Sequence, residues 1–332
     1  MSVEIAESKE FTGSTGIVGF GRFGRALSGL LDDAGLPWLG LDPVAAIEAP
    51  HRARDLRELI AASEVIVVAV PVPVIAATLR AMTPFLRADQ LVIDVGSVKV
   101  GPEKAFRATL AERVPWAATH PLFGPTSLAR GERPLRVVVC PNPDQPAASE
   151  RARAFYVGLG CEVVALDAEA HDRAMADTHV LAFFVAKALL DVGAEDQPVA
   201  PPSFQAMART IDAVRSDAGH LFSAIQAEND FAAASRRRFL DALHNLDEQL
   251  DAPSDPTDPQ TFAIPDLGLR APDLLQTREL IDELDRDLVA LLARRAQLSL
   301  RAGRAKGPGA IRDPAREAEM VGERARWAVA SG

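Results

Sequence analysis

The stretch Thr15-Gly16-Ile17-Val18-Gly19-Phe20-Gly21-Arg22-Phe23-Gly24-Arg25-Ala26-Leu27 reads as a buried strand that turns sharply into a helix. Gly19, Gly21 and Gly24 stand in the order G-x-G-x-x-G. In a dinucleotide site the first such glycine makes the tight turn, the second lets the backbone approach a pyrophosphate, and the third lets the helix pack close on the strand. Amides at the helix start, from Arg22 and Phe23 onward, then face the phosphates. Three glycines beside a strand also occur as a plain tight turn, and the neighbouring sequence decides between the two.

A second apolar stretch, Trp38-Leu39-Gly40-Leu41, ends in Asp42. That is near the spacing of roughly 20 residues at which an acid meets the adenosine ribose hydroxyls. An acid there favours NAD over NADP, whose extra phosphate it repels. Asp42 also precedes Pro43, and the alternative is that the pair only opens a turn.

Strand and helix then alternate. Asp55–Ala62 reads as a helix, and Glu64-Val65-Ile66-Val67-Val68-Ala69-Val70 is a β-branched run of the kind buried on both faces of a parallel sheet. Pro71 and Pro73 stop that strand, a helix follows to about Met82, and Gln90–Asp94 makes the next strand. A helix over Pro102–Glu112, a short strand over Trp116–Thr119, a strand over Leu135–Cys140, a helix over Ala147–Leu159 and a strand over Glu162–Leu166 complete the pattern. The expectation is a doubly wound α/β, Rossmann-like domain over residues 15–170, after a polar tail at 1–14. Ligands of such sheets sit beyond the carboxyl ends of the strands, so chemistry is sought at Val70 and Pro71 and in the loops after Asp94 and Thr119.

From His171 to about Leu250 the pattern becomes helical, with helices over Asp172–Val192, over Pro202–Asp217 and from His220 through Leu250. This is read as a second, all-helical domain over 171–250. Phe183, Phe184, Val185, Leu189 and Leu190 suit a homodimer interface as well as a core. Asp, Pro and Thr dominate a linker at 251–272. In the last segment, 273–332, Ile281, Leu284, Leu288, Leu291 and Leu298 recur at helical spacing, giving one long amphipathic helix that ends at Gly307-Pro308-Gly309. Arg295 and Lys306 fall near the centre of its apolar stripe and Arg278 at its edge. Cations there need an anion, or their stems carry the charge out to solvent.

The composition, 48% hydrophobic and 25% charged over 332 residues, is that of a globular chain with room for two or three domains. A formal charge of −10 argues against a nucleic-acid partner. Cys140 and Cys161 border apolar stretches, as buried thiols of a reducing compartment do, and no metal site is expected. Met1–Ser14 has no apolar core and no run approaches the ~18 apolar residues of a membrane span, so the expected location is cytoplasmic.

Four motifs, Gly19–Gly24, Asp94-Val95-Gly96-Ser97-Val98-Lys99, His120-Pro121-Leu122-Phe123-Gly124-Pro125 and His171-Asp172-Arg173-Ala174-Met175, stand in this order and spacing. Over residues 15–250 they resemble the prephenate dehydrogenase family. The resemblance implies NAD-dependent removal of hydride from C4 of prephenate while the ring carboxylate leaves as carbon dioxide. It implies that neutral His120 accepts a hydrogen bond or the proton from the C4 hydroxyl, that Ser97 bridges substrate and His120, and that Lys99 is a structural or carboxylate contact. The bland alternative for His120 is a loop histidine capping backbone. Thr126 stands where the family usually carries an acid, and His179 matches a family histidine near the substrate, with Ala182 and Phe183 at the later place. The family's carboxylate-binding arginine should fall near Asp212 or Ala213, where Arg209 and Arg215 lie one turn to either side as substitutes.

The last segment is similar to the first part of the all-helical chorismate mutase family, through Arg278-x-x-Ile281-Asp282-x-Leu284-Asp285, Leu291-Leu292-x-x-Arg295, Lys306 and Asp313-x-x-Arg316-Glu317. The resemblance implies that these cations hold two carboxylates. With the sequence given reaching Gly332 after the second helix begins, the expectation is little mutase turnover and a role in packing. Together the readings point to NAD-dependent oxidative decarboxylation of a small prephenate-like dicarboxylate. The alternatives are a 4-amino-4-deoxyprephenate dehydrogenase of an antibiotic pathway and a non-catalytic partner of a chorismate mutase.

Overall fold

The computed structural model describes residues 13–216, 220–251, 274–305 and 319–326. It divides into one compact unit drawn from residues 1–130 and 134–262 and a second from 131–133 and 263–332. The expected tail up to residue 12, the linker from residue 252 and the helix stop at Gly307-Pro308-Gly309 lie outside the described residues.

In the first unit, β1 (Thr15–Val18), α1 (Arg22–Asp33), β2 (Trp38–Leu41), α2 (Leu56–Ala61), β3 (Val65–Val68), α3 (Ile75–Met82), β4 (Leu91–Asp94), α4 (Val100–Thr109), β5 (Trp116–Pro121), α5 (Pro125–Ala129), β6 (Leu135–Cys140), α6 (Pro146–Gly158) and β7 (Cys161–Ala165) follow one another. The strands form a seven-stranded sheet in the order β2-β1-β3-β4-β5-β6-β7. All neighbours are parallel except β5 and β6. This is the Rossmann-like, mostly parallel sheet expected from the alternation of elements.

The continuous apolar run of β3 follows from burial on two sides. Val65 and Val67 pack into one apolar layer with Ile17, Ile93 and Phe155, while Ile66 and Val68 pack into the other with Leu79, Val92 and Phe106. Successive side chains of a strand point to opposite faces, so helices on both faces make every position core.

Two elements depart from the sequence reading in ways that move chemistry. β5 does not stop at Thr119, because antiparallel pairing with β6 sets His120 opposite Val138 and Pro121 opposite Val137. His120 is therefore a strand residue and not a loop residue. The helical run after β7 is also interrupted. α7 (Ala168–Met175), capped by the Asp167 carboxylate accepting from Ala170 N at 2.9 Å, widens into one π-helical turn at Ala176–Val180 before α8 (Leu181–Asp191).

α9 (Pro202–Ser216), α10 (His220–Ala227) and α11 (Ala232–Asp251) follow. The run read as continuous from His220 breaks between α10 and α11, where the Asn229 side chain accepts from Phe231 N at 2.9 Å and donates to Asp172 O at 2.7 Å. An asparagine that bonds its own neighbouring backbone competes with the helix ladder. Val180, Phe183, Ile211, Val214 and Ile225 form the apolar centre of these helices.

The second unit contains α12 (Leu274–Ala305). Its stripe residues Ile281, Leu284, Leu288, Leu291 and Leu298 are all exposed. Among the described residues, no helix is long and apolar enough to cross a membrane.

Candidate active site

The sheet order reverses between β1 and β3, and the glycine loop sits at that switch point. Gly19 has φ of 96°, and a Cβ added there would lie 2.5 Å from Ala69 O and 3.0 Å from a Val70 methyl. A Cβ on Gly24 would lie 2.3 Å from Gly19 O, so α1 packs closely on the turn only because residue 24 has no side chain. Gly21 is different, since a Cβ there meets nothing within 4 Å. α1 begins without a side-chain cap and without an acid in its first turn. Uncapped amides beside an open glycine fit a pyrophosphate, the anion that the loop sequence anticipates.

Asp42, just after β2, makes the turn weighed for it in the sequence and also reaches the glycine loop. Its carboxylate accepts from Val44 N at 2.8 Å and Ala45 N at 2.7 Å, making the turn, and from Phe20 N at 2.7 Å inside the glycine loop. Partial burial works to raise its pKa, but the amides of Ala45, Val44 and Phe20, with Arg25 nearby, outweigh it and hold the group below the ordinary carboxylate value. Val70 and Pro71 follow β3 at the same end of the sheet.

A cavity of about 730 Å³ opens beyond the ends of β4 and β5. Arg22 and Phe23 of α1, Ser97, His120, Thr126 and His179 all line it. Phe23 meets Phe123 at 6.1 Å between ring centroids, and the His179 ring lies 6.5 Å from the His120 ring and 4.7 Å from that of Phe183. The π-helical turn lies between α7 and α8 and carries His179. Among the described residues, no carboxylate lines this cavity.

His120 is almost fully buried, and burial first, then His171, Lys99 and His179, hold its pKa well below the ordinary histidine value. Its ring is neutral at physiological pH. Behind it, His120 Nδ1 lies 2.8 Å from His171 Nε2, and His171 Nδ1 lies 2.8 Å from Asp172 Oδ1.

Lys99 is fully buried and does not line the cavity. Its ammonium donates to Asp94 Oδ2 and to Thr119 O. Asp94 in turn accepts from Gly96 N at 2.9 Å and Thr119 N at 3.0 Å, and Thr119 Oγ1 meets Tyr156 OH at 2.8 Å. Of the two roles expected for Lys99, this is the structural one: it ties the end of β4 to β5 and so fixes Ser97 relative to His120.

Arg215 is also not a cavity residue. It pairs with Glu195, which corrects its expected role as a carboxylate arginine. The side chain of Arg209 lies outside the described residues, as do Lys306, Asp313, Arg316 and Glu317 of the mutase-like segment. Arg278 and Arg295 lie exposed on α12. Among the described residues, no group of three or more His, Cys, Asp or Glu side chains gathers to hold a metal ion.

Sequence reasoning gave no role to Asp94, Tyr156 or the His171–Asp172 pair. The one available signal was an acid ending an apolar strand five residues before a lysine, because such a pair placed at a strand end is buried together.

Residues 45–164 match the family model of the prephenate dehydrogenase nucleotide-binding domain, and residues 277–332 match chorismate mutase type II. A Methanocaldococcus jannaschii protein named "Probable arogenate/prephenate dehydrogenase" is 26% identical over 199 residues, 56% of this chain and 43% of its own length, so the chain spans less than half of that relative. The 4-amino-4-deoxyprephenate dehydrogenase of Streptomyces pristinaespiralis is 29% identical over 266 residues, 74% of this chain and 86% of that protein. In fold, the chain is similar to the crystal structure of Aquifex aeolicus prephenate dehydrogenase in complex with hydroxyphenyl propionate and NAD+, with a TM-score of 0.58 at 17% identity over 86% of this chain and 98% of that one. Over residues 45–164 the chain is thus similar to the nucleotide-binding domain of the prephenate dehydrogenase family, and over residues 277–332 to chorismate mutase type II.

Proposed function

We propose that this chain oxidises and decarboxylates a prephenate-type cyclohexadiene with NAD, giving a 4-substituted phenylpyruvate. The observation that carries this reading is the meeting, in one cavity, of a buried neutral histidine with the first turn of the glycine-loop helix. NAD supplies the hydride acceptor. The glycine loop and the α1 amides would hold its pyrophosphate, and Asp42 would accept from its ribose hydroxyls. His120 takes up the proton of the C4 substituent as hydride and carbon dioxide leave, and Ser97 orients that substituent.

The absence of a carboxylate among the described lining residues favours a keto acid over an amino acid, whose ammonium would find no counter-charge there. The hydrophobic lining around Phe23, Phe123 and Phe183 suits the ring. A second reading, 4-amino-4-deoxyprephenate as substrate, is favoured by the match that spans 86% of the Streptomyces pristinaespiralis relative. We place the chain in a homodimer, since Ile281, Leu284, Leu288 and Leu291 of α12 are exposed and apolar.

Following NADH formation with prephenate, 4-amino-4-deoxyprephenate and arogenate side by side tests the proposal. Turnover of one or both keto acids, with arogenate left largely unreacted, is the expected result. NADH from none of the three, in protein that binds NAD, would overturn the dehydrogenase reading.

A further inference from the structure

The unused feature next to the cavity is the buried pair His171–Asp172. Both side chains are fully buried and neither lines the cavity. Asp172 accepts at both oxygens: Oδ1 from Lys99 N at 2.7 Å and from the His171 ring at 2.8 Å, Oδ2 from Val100 N at 2.9 Å. It therefore acts as a carboxylate. Its side-chain partner among the described residues is the imidazole of His171, and no lysine or arginine side chain bonds it there.

The hydrogen bonds from Asp172 through His171 to His120 all run in one direction. A carboxylate only accepts, so His171 Nδ1 carries the hydrogen and donates to Asp172. With Nδ1 protonated, neutral His171 has its lone pair on Nε2, which faces His120 Nδ1 at 2.8 Å. His120 Nδ1 must then be the donor, leaving the lone pair of His120 on Nε2, the ring nitrogen not engaged by His171.

We infer that His171 and Asp172 are positioning residues that fix His120 in its Nδ1–H tautomer and present Nε2 to the substrate as a proton acceptor. A histidine in the other tautomer would offer the C4 substituent a donor and could not take its proton. The same chain has an electrostatic role. Burial opposes a charge on His120, as its lowered pKa records. Asp172 is a fixed anion behind the His171 ring, so the imidazolium formed as hydride leaves has a counter-charge already in place. Asp172 keeps its own state throughout, and the proton returns to water from His120 Nε2 after product release.

The inference rests on the dehydrogenase reading only for its kinetic arm. The spectroscopic arm uses the intact protein: long-range ¹H–¹⁵N correlation of ¹⁵N-histidine-labelled enzyme, with His120→Asn to assign the His120 signals. Expected is a protonated Nδ1 and an unprotonated Nε2 at His120. In Asp172→Asn the amide oxygen can still accept from Lys99 N and His171, but its NH2 then meets Val100 N–H and the negative charge behind the imidazolium is gone. That variant should lose about 10²–10⁴-fold in kcat, with KM for substrate and NAD nearly unchanged. NAD binding by fluorescence titration shows that the variant is folded. An Nε2–H tautomer at His120 in the unmutated protein, or an imidazolium signal from His171 donating to His120, would overturn the inference. So would an Asp172→Asn enzyme that binds NAD normally and turns over at the unmutated rate.

Discussion

His120 lies where the sheet, the helices and the cavity meet, and its chemistry follows from burial. Replacing it by asparagine should lower kcat by about two to four orders of magnitude with little change in substrate KM, measured from NADH formation at saturating NAD. Because burial holds its pKa well below 6.5, the acid limb of kcat/KM should fall below pH 6.5. The sign for stability follows the same shift. The unfolded chain protonates this histidine first, so its contribution is fully present above about pH 6.5 and is lost as the pH falls below that, seen as a falling midpoint in thermal melts. Asp42→Ser should weaken NAD by roughly ten- to a hundred-fold and relatively improve NADP, in kcat/KM for the two cofactors, since a hydrogen bond to a charged group contributes about 1.5–3 kcal/mol. Equal losses for both would confine Asp42 to holding Phe20 and the turn.

Among the elements, the glycine turn is the most demanding of its residue types. Gly24→Ala puts a methyl 2.3 Å from a backbone oxygen, so α1 must move off the turn. The expected cost is about 1–3 kcal/mol in denaturant unfolding, with a clear loss of NAD affinity by fluorescence titration. The parts of the fold legible in the sequence were those in which one residue type permits one geometry. The glycines of this turn, the β-branched run of β3 and the strand-ending acids of β2 and β4 each named their place. The reversal of β6 against β5 was not legible, because the apolar pattern of Leu135–Cys140 is the same for either strand direction. Nor was the π-helical turn at Ala176–Val180, since a widened turn shifts the face that side chains occupy without changing residue type. Arg215 was misread for a related reason: spacing puts an arginine near a site, and only the packing reveals that Glu195 takes it.

On the scale of the molecule, the cavity, the buried histidine pair and the glycine loop all belong to the first compact unit, and α12 to the second. Leu284, Leu288 and Leu291 of α12 are each more than half exposed, which is a large apolar surface for one helix. Leu288→Asp with Leu291→Asp should lower the mass measured by light scattering while leaving NADH formation within about two-fold. Chorismate rearrangement needs donors preorganised in a water-poor site, and Arg278 and Arg295 are exposed. The full-length protein should therefore convert little chorismate, followed by its ultraviolet absorbance; brisk conversion abolished by Arg295→Ala would show a complete mutase site. The two cysteines add a built-in clock. Cys140 on β6 and Cys161 on β7 are reduced and buried, and burial pushes the Cys140 thiol up to about 12. A colorimetric thiol reagent added to the native enzyme can reach them only in molecules whose β6–β7 flank has come apart. The rate of colour development therefore counts the openings of that flank, and NAD should slow it only if those openings also dismantle the nucleotide site.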